Sequence, residues 1–248
     1  MRFKISLKIV TNGEFEPTEI PIRYHAAFLS LLKRGLEKAS PAEFNLLFKE
    51  KNTQKNYSQA LIFHKAKFSK EVILLKEPKI SWFFSTPDSQ LAFNVYNAFQ
   101  LLKQEKRLQL YSNVEVIVDK IENIYQERIT STSAVFQTLS PILVRQHDPI
   151  QHKDWFLSFG DDNFEIVCKE NLKRKLIPLL GERVKYDIDE LKIKPLEMKK
   201  TVIKTYEKAL QSSIGKLKLS GEPYLLEYLR DTSISSKSGL FFGYMEEI

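Results

Sequence analysis

At 248 residues, 43% hydrophobic and 12% aromatic, the chain can build real cores, which excludes a disordered protein. No run approaches the roughly 18 apolar residues of a membrane span, and the lone Cys168 excludes an internal disulfide or a paired-cysteine metal knuckle. The net charge is +7, and residues 23–79 alone, with 12 basic and 5 acidic side chains, account for as much. A field this compact attracts polyanions, although a solvated lysine-rich face would have the same composition.

The opening MRFKISLKIV alternates charged and apolar residues, so Arg2–Val10 reads as a half-buried strand rather than a secretory signal, and a cytoplasmic location is expected. Pro21 suits a helix start, since a first-turn residue needs no N–H. Behind it Phe28, Leu31, Leu32, Gly35 and Leu36 keep helical spacing to about Ala39. Ser40-Pro41 restarts a short helix through Phe48, and residues 49–56, KEKNTQKN, form an exposed basic loop. Strands are expected at Tyr57–Ser69, Glu71–Leu75 and Ile80–Ser85. A helix capped by Asp88 follows, buried through Ala92, Val95, Tyr96, Phe99 and Leu102. Leu108–Tyr111 and Val114–Ile121 return as strands, an order that matches a ferredoxin-like sandwich.

The second half repeats the element order without repeating the sequence. A strand over Glu127–Leu139 ends at the Ser140-Pro141 break, and Trp155–Phe159 is a short strand. A helix over Asn163–Leu180 stops at Gly181. Lys192–Lys194, Lys199–Tyr206 and Gly215–Leu219 read as extended, Glu222–Leu229 as a helix, and Phe241–Glu246 as the last strand. The expected architecture is α+β, two tandem ferredoxin-like domains over 1–126 and 127–248.

Several chemistries lack their residues. The four histidines form no HxH or HExxH pattern, and no carboxylate cluster has cation-loop spacing. Neither a GxGxxG nor a phosphate-loop pattern occurs, and no serine elbow is present. No cofactor is therefore expected. Acid–base chemistry on a polyanion remains, and His25 is its best candidate. It follows Arg23 and Tyr24 at a helix start, with Lys33 and Arg34 further along. A neutral imidazole can take a proton from a hydroxyl or return one to a leaving oxygen. A lone histidine at a helix start also fits an ordinary surface or capping residue. His64, in the apolar Leu61-Ile62-Phe63 stretch, reads as structural, and His147 and His152 as members of a solvated loop.

The tail, SISSKSGLFFGYMEEI over 233–248, sets four serines, Lys237 and a glycine ahead of an aromatic run. Small donor-rich residues with one cation suit a phosphate or nucleic-acid contact, and they equally suit a solvated hairpin turn.

Taken together, MRFKISL, the Pro21 helix entry, WFFSTPDSQLAFNVYNAF, the TLSPILV break at 138–144 and the tail resemble the CRISPR repeat-RNA-processing endoribonucleases of the RAMP superfamily. The resemblance runs over nearly the whole chain. It implies two ferredoxin-like domains that bind the repeat of a precursor transcript and cut it without metal. In that reaction the 2′-hydroxyl attacks the adjacent phosphate, leaving a cyclic phosphate and a 5′-hydroxyl. The family's tail loop reads like GxGSxxSxGFG. Here Ser233, Ser235 and Phe241 stand where glycines are expected, while Gly243, Ser236 and Lys237 match. Many members carry the catalytic histidine near the end of the second short helix, where this chain has Leu47-Phe48-Lys49. Other branches carry it at the start of the first helix after a proline, the pattern of Pro21 to His25.

The resemblance thus implies His25 as acid or base, Tyr24 as its partner, and Lys55 or Lys51 at the phosphate, with Lys33 in reserve. Arg23, Lys33, Lys51, Lys65, Lys67, Arg145, Ser235, Ser236 and Lys237 are the implied RNA contacts. Repeat RNA is the expected partner, with a homodimer or interference-complex subunits beside it and no membrane. The alternative is a protein that binds repeat RNA without cutting it, alone or as a subunit of an interference complex. An unrelated RNA-recognition module would need an RNP-type KGFGFVxF pattern, which is missing.

Overall fold

The computed structural model describes residues 1–248 except Asn12, Asn52, Pro149, His152, Tyr206 and Glu207. The chain divides into two compact units. The first holds Met1–Asn56, Leu61–Tyr125 and Lys204–Lys208; the second holds Tyr57–Ala60, Gln126–Ile203 and Ala209–Ile248.

Over residues 2–124 the elements run β1 (Arg2–Ile9), β2 (Thr18–Pro21), α1 (His25–Ala39), α2 (Pro41–Phe48), β3 (Ser58–Phe63) and β4 (Ala66–Phe68). They continue with β5 (Val72–Leu75), β6 (Lys79–Ser85), α3 (Ser89–Gln104), β7 (Leu108–Tyr111) and β8 (Val114–Ile124). The main sheet has the order β3-β6-β1-β8-β7. Leaving out the added edge strand β7, this is the 2-3-1-4 order of a ferredoxin-like sandwich. β1 is central because its odd residues, Phe3, Ile5, Leu7 and Ile9, are all buried. Phe28, Leu32 and Leu36 of α1 and Val95, Phe99 and Leu102 of α3 are buried as well. Trp82 is fully buried there, edge-on to Phe99 at 5.0 Å and to Phe28 at 5.9 Å. Gly35 lets α1 approach α3, since a Cβ there would lie 3.1 Å from the Ala98 carbonyl oxygen. Asp88 caps α3 as expected, accepting from the backbone N–H groups of Gln90 and Leu91.

The second unit runs β9 (Ser133–Thr138), β10 (Val144–Asp148), β11 (Lys153–Leu157), α4 (Phe164–Leu180) and α5 (Val184–Glu190). It ends with β12 (Lys192–Thr205), β13 (Lys208–Ser220), α6 (Pro223–Thr232), a 3-10 turn at Ser238–Leu240 and β14 (Met245–Glu247). Its sheet order, β12-β13-β9-β14, is again 2-3-1-4. Phe136, Leu217 and Leu219 from the sheet pack with Cys168, Leu172 and Leu176 of α4 and Leu225, Leu226 and Leu229 of α6. Two tandem ferredoxin-like folds therefore hold the chain. Among the described residues, no helix is long and apolar enough to cross a membrane.

Several expectations shift. Pro21 does not open α1: it ends β2, opposite Val72 of β5, and the helix begins at His25. The Tyr57–Ser69 stretch breaks into β3 and β4, with Lys65 between them at φ 45°. The expected Glu127–Leu139 strand begins only at Ser133. His147 is not in a loop, because Val144–Asp148 pairs antiparallel with Lys153–Leu157 in a two-stranded ribbon. β12 and β13 form long strands where short pieces were expected, and α5 was not anticipated. The last strand covers only Met245–Glu247, while Phe241 and Phe242 are buried ahead of it. His152 and the end of the expected strand at Tyr206 lie outside the described residues.

Candidate functional site

The start of α1 turns its aromatic groups inward. Tyr24 is the N-cap residue, and its ring stacks on His25 with centroids 4.2 Å apart and planes 14° off parallel. Phe63 and Phe28 meet the Tyr24 ring edge-on at 4.9 and 6.1 Å. His25 is 2% exposed. Removal from water disfavours the imidazolium and lowers the His25 pKa to about 4, so the ring is neutral at neutral pH. Burial, and secondarily Tyr111, push the Tyr24 phenol well above its ordinary range. Arg23, just before this pair, is exposed.

Eight residues on, about 12 Å along the axis at an α-helical rise, α1 carries Lys33. Its ammonium lies 5.1 Å from the centroid of the Phe48 ring at the end of α2. Lys55 lies 4.6 Å from the same centroid. One ring thus gathers two cations from segments that are separate in sequence, with cation–π attraction offsetting part of their repulsion. Among the described residues neither ammonium has a carboxylate partner. Half-burial, and then the Lys33 charge, lower the Lys55 pKa from the ordinary lysine value. Lys49 repeats the contact over Phe44 at 5.2 Å, and Lys51 is exposed. Electrostatically the cluster is a concentration of positive charge with no carboxylate paired to it among the described residues.

The remaining cations of the first unit are arranged differently. Lys65 pairs with Glu77 at 2.5 Å, and Lys67 points out of β4 into solvent. His64 is half-buried, with Nε2 2.8 Å from the Ser81 hydroxyl, a contact within the sheet that agrees with a structural residue. Burial, then Lys79 and Lys4, lower its pKa, with Glu77 opposing them.

In the second unit the tail is knit into the fold by its own serine hydroxyls, which mostly accept. The Ser235 hydroxyl accepts from the Leu143 N–H at 3.0 Å and lies 3.3 Å from the Leu143 carbonyl. The Ser236 hydroxyl accepts from the Arg145 N–H at 3.0 Å and from the Asn171 amide at 3.2 Å. Ser235 is buried, and Lys237 is half-buried, its ammonium 5.5 Å from the Phe156 ring centroid. Ser233 and Phe241, which stand where the tail pattern has glycine, keep glycine-like backbone at φ 70° and φ 67°. Gly243, at φ 76°, is indispensable to the packing: a Cβ there would lie 2.2 Å from the Ser233 hydroxyl. Arg145 and His147 both bond Asp154 of the neighbouring strand at 2.8 Å, and these bonds hold the Asp154 carboxyl below its usual range against the effect of burial.

The structure thus brings Lys33 and Lys55 together and keeps His25 with Tyr24 two helical turns away. Sequence reasoning missed the Phe48 ring that organises the lysines, although LFKE at a helix end was a visible signal. It also missed Asn171, Lys175 and Asp154, whose partners are distant in sequence. The Lys175 ammonium donates to the carbonyls of Thr232 at 2.7 Å and Ser233 at 3.2 Å, at the end of α6.

Two units with the 2-3-1-4 sheet order define the class: a tandem ferredoxin-like α+β protein. Residues 119–247 match the family model for CRISPR associated protein Cas6, C-terminal, and the chain belongs to that family. It is thus a Cas6-family CRISPR RNA-binding or processing protein. Among solved structures it is similar to "An RAMP protein binding different RNA substrates", with 19% identity, a TM-score of 0.83 and coverage of 100% of this chain and 99% of that one. It is similar to the product of a Cas6-related gene from Pyrococcus furiosus, at 19% identity and a TM-score of 0.84, covering 100% and 98%. A CRISPR associated protein Cas6 matches at 18% identity and a TM-score of 0.73, covering 100% and 99%. At these identities the structural likeness speaks for the fold. No curated protein sequence matches.

Proposed function

We propose that this protein binds the repeat RNA of a CRISPR precursor transcript and cuts it by metal-independent acid–base chemistry. The 2′-hydroxyl attacks the adjacent phosphate, the bond to the 5′-oxygen breaks, and a cyclic phosphate and a 5′-hydroxyl result. The observation that carries this reading is the Lys33–Phe48–Lys55 cluster, two cations held within 5.1 Å of one ring centroid without a carboxylate among the described residues. Placed at a scissile phosphate, they stabilise the charge that builds on its oxygens in the transition state. In the first unit exposed Arg23, Lys51 and Lys67, with Lys65, are further RNA contacts; in the second, Arg145 and Lys237 are, with Ser235 and Ser236 shaping the tail loop. His25, with Tyr24 stacked on it, serves as acid or base when bound RNA opens the start of α1.

A second reading, binding without cleavage, is favoured by the burial of His25, at 2% exposure, and by Phe48 at the end of the second helix. The two part in one assay: repeat RNA is incubated with the protein in EDTA and the product ends are analysed. Cyclic-phosphate ends are expected. Tight binding with intact RNA would establish the second reading instead. His25→Ala tests the histidine within the same assay, with lost cleavage and retained binding the expected outcome. Unchanged cleavage by that variant would remove His25 from the chemistry and leave the fold and RNA binding untouched.

A further inference from the structure

The small sheet of the first unit carries on its edge an aromatic ring that the fold leaves open to solvent. We propose that Phe68 is a stacking platform for an unpaired nucleobase of the repeat RNA, with Lys67 and Lys70 beside it drawing in the backbone. This rests on the proposal that the protein binds repeat RNA.

The strand order β2-β5-β4 makes β4 an edge. Phe68 stands opposite Ile73 of β5, and Ile73 opposite Ile20 of β2, so the three share one face of the sheet. Ile20 and Ile73 are fully buried, whereas Phe68 at the edge is 57% exposed. Its supported side meets the Phe63 ring edge-on at 6.2 Å. Phe63 in turn meets Tyr24, which stacks on His25, so Phe68 is the open end of a row of rings. The chain just beyond it is fixed by a tight turn. The Ser69 hydroxyl donates to the Val72 carbonyl at 2.8 Å and accepts from the Val72 N–H at 3.1 Å, and the Ser69 N–H reaches the same carbonyl at 2.9 Å. A ring held this firmly has little conformational freedom left to lose when a base settles on it.

A lone exposed aromatic residue is common on protein surfaces, and charge sets Phe68 apart from the others. Lys67 leaves β4 on the opposite face, and Lys70 lies in the adjoining turn; both are exposed, and among the described residues neither has a carboxylate partner. The two acids nearby in sequence are taken, Glu71 by Lys204 at 2.6 Å and Glu77 by Lys65. Phe93, 59% exposed on α3, has Ser89, Gln90, Tyr96 and Asn97 at the neighbouring helical positions and no cation among them. An aromatic face for the base with cations for the backbone is how proteins hold single-stranded nucleic acid. A base stacked inside a duplex has no free face to offer, so the nucleotide on Phe68 is unpaired.

The probe is a repeat-RNA strand 2′-O-methylated throughout, which cannot form a cyclic phosphate, with affinity read by fluorescence anisotropy. Phe68→Ala should weaken binding about 10-fold, within the range for removing one base–aromatic contact. Phe68→Leu, apolar but without a ring, should weaken it similarly, and Phe68→Trp should bind at least as tightly as wild type. Single abasic sites are then moved along the strand. At one position the missing base should cost wild type about 10-fold and Phe68→Ala less than about twofold, because base and ring are two halves of one contact. Lys70→Gln should lower the slope of log K against log[salt] by about 0.7. Wild-type affinity in Phe68→Leu, or an abasic penalty of equal size in both proteins at every position, would overturn the platform while leaving RNA binding intact. A wild type that binds neither this strand nor unmodified repeat RNA would overturn the RNA reading and the platform with it.

Discussion

His25 shows how one residue can look functional in sequence and carry a structural signature in the fold. Its ring is buried, stacked on Tyr24, and held neutral, so the folded state resists protonation down to a pH of about 4. The unfolded chain takes the proton up at about 6.5, before the folded state does. A depressed folded pKa means that the contribution to stability is complete above about 6.5 and is lost as pH falls toward 4. The shift corresponds to at most about 3 kcal/mol. Urea unfolding between pH 7 and 4 should therefore show a steeper loss in wild type than in His25→Gln, and parallel curves for the two proteins would contradict the burial. Ser233 supplies a second residue-scale test. Its φ of 70° with ψ of 156° lies where L-residues are strained, yet its hydroxyl accepts from the Ser235 N–H at 2.9 Å. Ser233→Gly relieves the strain while losing the acceptor, whereas Ser233→Ala loses the acceptor and keeps the strain. The glycine variant should be the more stable by about 1–3 kcal/mol in urea titrations. An alanine variant equal to or above it would refute the strained geometry.

Among the elements, what was legible depended on burial. β1 and α3 announced themselves because each has one buried face: Phe3, Ile5, Leu7 and Ile9 at period two, and Ala92, Val95, Phe99 and Leu102 at helical spacing, although Tyr96, expected in that stripe, is only half-buried. β10 did not, although a strand overlapping β11 was legible at Trp155–Phe159, because Arg145, Gln146, His147 and Asp148 lack an apolar alternation and are fixed by partners across the ribbon, Asp154 above all. Pro21 misled for a related reason. Its missing N–H suits a helix start as well as the end of β2, and only pairing with Val72 decides between them. The Lys33–Phe48–Lys55 cluster was half visible: the basic loop after α2 stood out, whereas the ring joining it to α1 is a product of folding. The tail loop has its own element-scale prediction. Gly243→Ala would place a Cβ 2.2 Å from the Ser233 hydroxyl and 2.4 Å from the Ser235 Cβ at a positive φ. A loss of about 2 kcal/mol or more is expected in chemical denaturation, from backbone strain plus displaced loop packing. A change below about 0.5 kcal/mol would mean that the loop is not packed this way.

At the scale of the whole molecule, charge and fold point to one partner. Nearly all of the net +7 belongs to the first half of the sequence, and the family is one of CRISPR RNA-binding and processing proteins. Neutralised phosphates release counterions, so the affinity for repeat RNA should fall linearly in log–log form as salt rises. Removing two phosphate contacts with Lys33→Gln/Lys55→Gln should lessen that slope by about 1.4, the single-strand value for two charges. An unchanged slope would place the cluster away from the RNA. The central claim is that this same cluster holds the phosphate that is cut. Its most direct measurement is the single-turnover rate of repeat-RNA cleavage in EDTA, with RNA saturated, for wild type and for Lys33→Gln/Lys55→Gln. The account predicts cyclic-phosphate product from wild type and a rate at least about 100-fold lower in the variant, the scale of losing one oriented charge contact in a transition state. Equal rates for the two proteins would contradict it.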